Sequence, residues 1–165
     1  MHYQKEAIEN MKGYKWIRTV LVLIVPVLFG FGPCGPLAGG MLNGEIVTKK
    51  IDDFNIVKNV DQCALEVNAT DPHSVTLNCW TVGKQLFVGC KDCDGKKWSS
   101  FVEKDAIGRI KISKKIYPVK LSKMSDQLAI ERAWKYRWEK YGEGEVEKMP
   151  AGYWLYHLGS QGSTR

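Results

Sequence analysis

Two kinds of apolar pattern divide the chain. From Val20 to Phe31 the residues are apolar apart from Pro26 and Gly30. Beyond residue 60, apolar and polar positions alternate in short runs, the period of half-buried strands. "CALEVN" (63–68) and "SVTLNCWT" (74–81) read as two strands, with Asp71-Pro72 marking the turn between them. Val82-Gly83-Lys84 turns the chain into a third strand, "QLFVGC" (85–90). "KKWSSFVEKDA" (96–106) predicts a short helix that sends Trp98, Phe101 and Val102 inward. "IGRIKI" (107–112) and "IYPVKL" (116–121) form a hairpin about Ser113-Lys114-Lys115, and Pro118 puts the second strand at an edge or a bulge. Ser125 is expected to cap a helix running to Tyr141, with Asp126 in its first turn. Ile130, Trp134, Trp138 and Tyr141 recur at helical spacing, and Gly142 is a good stop. "YWLYHL" (153–158) reads as a last strand, followed by a polar tail. Strands, short helix, hairpin, helix and strand, in that order, predict a small α+β barrel.

The early apolar run is short for a membrane span, and signal peptides have similar lengths. Counted from Tyr14 to Leu37 as one kinked segment, it reaches the required length. Lys5, Lys12, Lys15 and Arg18 precede it, and no Lys or Arg follows until Lys49. That asymmetry puts the N-terminus in the cytoplasm and the rest of the chain outside. Lipoprotein processing at Cys34 is opposed by Pro33, and a secretory site near Ala38-Gly39-Gly40 is the third fate. The expectation is an uncleaved anchor, with Cys34 a packing residue rather than an acylated one. The resulting organisation is a cytoplasmic segment (1–15), an anchor (16–36), a glycine-rich linker (37–50), a folded domain (51–158) and a tail (159–165).

Charge changes the picture locally. The net +6 is concentrated between Lys84 and Lys123, where eleven Lys or Arg face four Asp or Glu. A solvated surface, an anion site and a surface for an acidic partner all fit that excess. Nucleic acid does not, because no recognition helix or aromatic RNA-binding motif accompanies it.

"CKDC" (90–93) is the sharpest short motif. Such a pair can be a redox couple, half of a metal site or a structural disulfide. Asp92 and Asp94 oppose a reactive thiolate. A zinc site needs two more ligands, and Cys63, Cys79, His73 and His157 offer no finger-like spacing. Export favours a disulfide between Cys90 and Cys93. Cys63 and Cys79, in adjacent strands, are either a second pair or buried small apolar residues. No histidine has a Ser, Cys or carboxylate at triad spacing, so no catalytic residue and no metal site is assigned.

The element order, with "SVTLNCWTVGKQLFVGC", "GKKWSSFVEKDAIGRIKI" and "KIYPVKL", resembles the FMN-binding split-barrel superfamily. That group includes pyridoxamine-phosphate-oxidase-like and deazaflavin-dependent nitroreductase-like proteins. Within it, Cys34-Gly35-Pro36-Leu37 and the glycine-rich stretch Gly39 to Glu45 look most like small membrane-associated bacterial members. The resemblance implies a split β-barrel, often dimeric, that holds a flavin phosphate with basic and hydroxyl residues. Here those would be Lys96, Lys97, Ser99, Ser100 and Arg109. The arginine-rich strand and Ser-Arg-Lys element of the longer oxidases are not present, so FMN is a possible cofactor and not an assured one. Two functions follow. The first is an accessory or assembly subunit of a membrane complex, single-pass in the bacterial inner membrane with its barrel in the periplasm. Its partners would be other subunits or a second copy, and the lipid bilayer. The second is a flavin-dependent oxidoreductase, with a haem-binding barrel a distant third. The first is preferred at this level because the phosphate element is incomplete and free flavin is scarce outside the cytoplasm.

Overall fold

The computed structural model describes residues 39–162. The anchor (16–36), Cys34 and the end of the tail lie outside them. Among the described residues, no helix is long and apolar enough to cross a membrane. The elements are β1 (Glu45–Ile46), β2 (Gln62–Val67), β3 (His73–Val82), β4 (Gln85–Lys91), α1 (Lys97–Lys104), β5 (Ile107–Ile112), β6 (Lys115–Lys123), α2 (Gln127–Tyr141) and β7 (Tyr153–Ser160). Single 3-10 turns occupy Asn55–Asn59 and Cys93–Gly95.

Six antiparallel strands run in the order β6-β5-β2-β3-β4-β7, and a β6–β7 pairing closes the ring. Closure leaves no long unpaired edge. One edge of β6 is shared: Lys115 and Ile116 pair in parallel with β1, and Val119 to Lys123 pair with β7. Pro118 falls at the seam between those partners. Its carbonyl accepts from the Gln161 N–H at 2.9 Å, and its missing donor costs no ladder bond there. The edge position expected for Pro118 is thus a junction inside a closed barrel.

Both expected hairpins form, with two-residue loops. Val82 pairs with Gln85 across Gly83, whose φ of +61° suits the first central position of such a turn. Ile112 pairs with Lys115, so Lys115 belongs to β6 and Ser113 carries the positive φ of 55°. The α2 cap is Asp126 rather than Ser125: its Oδ1 accepts from the Ala129 N–H at 2.7 Å. Two boundaries also differ from the expectation. Part of the linker is woven into the barrel, through β1 and a bridge from Gly39 to Ser74. β7 continues to Ser160, whose buried hydroxyl accepts from the Ile51 N–H at 3.0 Å.

The barrel interior is filled by alternate residues, among them Cys63, Leu65, Leu86, Val88, Ile110, Val119 and Leu158. Trp98 and Val102 from α1 join this core. A second cluster lies outside the barrel, where α2 packs Ala133 and Ile130 over Trp80, Phe87 and Leu155. Gly89 leaves room for the neighbouring β7: a Cβ there would come within 2.7 Å of the Tyr153 ring and 2.8 Å of the Trp154 carbonyl. The far end of α2 is tied down by polar bonds. Lys140 Nζ donates to the carbonyls of Val57, Val60 and Cys79 at 2.8, 2.6 and 2.8 Å. The Tyr141 hydroxyl accepts from the Cys79 N–H at 3.1 Å and donates to the Asp61 carbonyl at 2.6 Å.

Candidate functional site

The start of α1 gathers four of the five residues expected to hold a phosphate. β4 delivers the chain to Asp92, which takes a left-handed conformation (φ 52°) and donates its N–H to the Gly152 carbonyl at 2.9 Å. The Cys93–Gly95 turn then leads into the helix. Cys90 and Cys93 sit at disulfide distance, with Cα atoms 5.6 Å apart. Cys63 and Cys79 do so too, at 5.8 Å, which favours pairing over the alternative of separate buried thiols. Their diagonal placement follows from the register, since Cys63 faces Leu77 across β2 and β3.

The staple shapes the helix start through Ser99. Ser99 is buried, and its hydroxyl donates to the carbonyls of Cys93 and Lys96. The Ser100 hydroxyl donates to the Lys97 carbonyl at 2.8 Å. Both hydroxyl protons are therefore used by the backbone, and neither is offered to a ligand. Lys96 and Lys97 are different. Both are exposed, neither forms an ion pair among the described residues, and the first turn of α1 contains no acid. Lys97 Nζ lies 5.5 Å from the centroid of Phe101, whose ring meets His73 edge-on at 5.7 Å. Two cations beside the positive end of a helix dipole repel it, and an anion relieves both.

Arg109, the fifth residue, stands elsewhere. On β5 it faces Glu66 on β2, its register partner, and the two form a fork: Nε to Oε1 at 2.7 Å and Nη2 to Oε2 at 2.7 Å. Glu66 is 4 % exposed and also accepts from the Leu42 N–H at 2.6 Å. This pair floors a cleft of about 540 Å³ with Met41, Ile107, Pro118 and Gln161, and none of the four α1 residues lines it. The structure thus brings Lys96, Lys97, Ser99 and Ser100 together and leaves Arg109 apart.

The basic stretch as a whole is not one patch. Lys111 donates to the Asn43 carbonyl at 2.7 Å, Lys115 pairs with Glu45 at 3.9 Å, and Lys123 lies 3.0 Å over the Trp154 ring. Glu66 is the site residue that the strand pattern concealed, because its opposite charge becomes visible only once β2 and β5 are in register. Neither described histidine bonds to a Ser, Cys or carboxylate: His73 packs on Phe101, and His157 tilts against Phe87 at 5.4 Å. No group of three His, Cys, Asp or Glu among the described residues is placed to hold a metal ion.

No family model and no curated protein matches the chain. Solved structures do. One is a candidate pyridoxamine 5'-phosphate oxidase from Listeria innocua, with 14% identity, a TM-score of 0.51, and 64% of this chain and 88% of that chain covered. Another is a candidate 5-nitroimidazole antibiotic resistance protein from Bacteroides thetaiotaomicron VPI-5482. It has 13% identity and a TM-score of 0.55, with 76% of this chain and 87% of that chain covered. At such identities the likeness carries the fold alone, the closed six-stranded barrel described above.

Proposed function

We propose that the barrel binds a phosphate-bearing planar cofactor of the flavin mononucleotide class, with the phosphate received at the start of α1. The observation that carries this reading is the pair of exposed lysines, Lys96 and Lys97, which form no ion pair among the described residues and stand at a helix whose first turn has no acid. The fold supports it, since the Listeria neighbour is described as a candidate oxidase of a pyridoxamine phosphate. The phosphate-contact set is narrower than the five residues first expected: Lys96, Lys97 and the free N–H groups of the first turn. A flavin would supply hydride or electron transfer, and these residues would only hold and orient it. The reading is a binding function first. Purified full-length chain should retain or take up FMN, seen by its visible absorption, and Lys96→Ala with Lys97→Ala should weaken that uptake. Failure to bind at saturating FMN would refute the reading.

The commitment of Ser99, Ser100 and Arg109 to internal partners favours a second reading. Here the chain is a membrane-anchored accessory or assembly subunit, held by residues 16–36, with the barrel in the periplasm. Mild-detergent extraction through a C-terminal tag would then recover a larger assembly without flavin. Recovery of a monomer or homodimer carrying flavin would overturn it in favour of the first.

A further inference from the structure

Away from α1, one cavity combines an apolar floor with a cation that forms no ion pair among the described residues. It lies where the first turns of α2 cross β3, β4 and β7, and holds about 430 Å³. Phe87 reaches it because Leu86 and Val88 take the barrel interior, leaving Phe87 on the outer face. His157 is the cross-strand partner of Phe87. It is half-buried, and burial pushes its imidazole pKa below the usual value, so at neutral pH it is uncharged. Met124 and Leu128 line the cavity too, and Leu128 is 77% exposed.

Arg132 stands one turn beyond Leu128 and lines the same cavity. Its helical neighbours three and four residues away are Leu128, Ala129, Lys135 and Tyr136, none of them acidic. It forms no ion pair among the described residues, and the adjacent Glu131 is bonded to Gln127 at 2.8 Å. A guanidinium therefore sits at the mouth of an apolar hollow whose other polar groups, Gln85 and His157, are neutral.

We propose that this cavity binds an amphipathic monocarboxylate, with the carboxylate on Arg132 and an alkyl or aryl body against Phe87, Met124 and Leu128. The volume lies in the small-molecule range. A planar carboxylate matches the guanidinium fork, and one cation with neutral neighbours suits a single negative charge rather than a phosphate dianion. Seating the apolar body would also cover the exposed face of Leu128. This site is independent of α1 and of any flavin.

Equilibrium dialysis of the full chain in non-ionic detergent tests it, with octanoate and phenylacetate as alkyl and aryl probes and octanol as the neutral control. One saturable site per chain is expected for at least one of the acids, and the tighter acid identifies the body the cavity prefers. Arg132→Ala should weaken binding roughly tenfold or more, the loss of a charged hydrogen-bonded partner. Ala129→Trp should fill the hollow and abolish binding, with circular dichroism confirming that both variants fold. Because every sample shares the same micelles, partition into detergent cancels between wild type and variants. Unchanged binding in Arg132→Ala, equal competition by octanol, or no saturable binding of either acid would overturn the proposal.

Discussion

The two halves of the barrel are built from the same antiparallel ladder but follow different rules of sequence. β3, β4 and β7 carry α2 on their outer face, and both sides are buried from Cys79 to Val82 in β3 and through the middle of β4. In β4 every residue from Leu86 to Cys90 is buried. β2, β5 and β6 contribute no residue to the apolar cluster under α2. In β5 only alternate residues are buried, with Ile107, Arg109 and Lys111 turned outward. The covered half therefore spends its outward positions on aromatics, and the open half spends them on charge, most visibly in the Glu66–Arg109 fork. A strand's hydrophobic run thus reports what lies over it as much as what lies under it.

The largest way to break this contrast is to remove Trp80. It is 1% exposed, stacks beside Phe87 at 6.3 Å, and its indole N–H donates to the Ala133 carbonyl of α2 at 2.8 Å. Trp80→Ala should cost about 3–5 kcal/mol in urea unfolding, from cavity formation and an orphaned carbonyl. Ile107→Ala, on the open half and 48% exposed, should stay within about 0.5 kcal/mol of wild type. Similar costs for the two would mean that α2 is not part of the cooperative fold.

The seam between the halves gives the next effect. Cys63 on β2 and Cys79 on β3 are separated by 16 residues, and the bond joins the open half to the covered one. Replacing both by serine should lower stability by about 3 kcal/mol in the chain-entropy account. Cys90 and Cys93 are only three residues apart, so their loss should cost clearly less while loosening the turn that precedes α1. Intact mass before and after reduction counts the bonds independently, and equal losses for the two pairs would contradict this ordering.

On the open half, Arg109→Ala leaves the buried Glu66 carboxylate with only the Leu42 N–H. Because the Arg109 side chain is 28% exposed, the cost should be moderate, about 2 kcal/mol. Glu66→Leu combined with Arg109→Met should recover most of it, since no unpaired charge then remains buried. A double variant as unstable as Arg109→Ala alone would show that the fork orients the cleft rather than offsetting buried charge.

The same contrast explains what the chain revealed before folding. The alternation of β2, β3 and β5 and the helical spacing of Ile130, Trp134 and Tyr141 were legible because each element's period is local. β1 was not, since two residues in a glycine-rich stretch carry no period. Ser125 and Asp126 are both good caps, and only geometry separates them. At the candidate site, the residue types at the start of α1 were readable, but the use of the Ser99 and Ser100 hydroxyls was not. That use depends on where the Cys93–Gly95 turn points its carbonyls. The family resemblance groups Arg109 with α1, and the β2–β5 register places it apart. The Arg132 cavity escaped notice for a similar reason: β4, α2 and β7 supply its walls from distant parts of the sequence.

The smallest effect concerns the one described histidine that lies under α2. His157 on β7 is half-buried against Phe87, and desolvation holds its pKa below that of the unfolded chain. In the window from just above the unfolded value, about 6.5, down to the depressed folded value, the unfolded state binds more protons. Stability contributed by the neutral imidazole is therefore complete above that window and is lost as pH falls through it. His157→Gln keeps a polar group of similar reach without a titration. The stability difference between wild type and His157→Gln should then be constant above pH 7 and shift against wild type on acidification, as read from urea midpoints at matched ionic strength. The sign also bears on the cavity, because protonating His157 would place a second cation beside Arg132. A difference that moves in favour of wild type at low pH would show that a carboxylate reaches His157 and that the α2 side is less dry than its packing indicates.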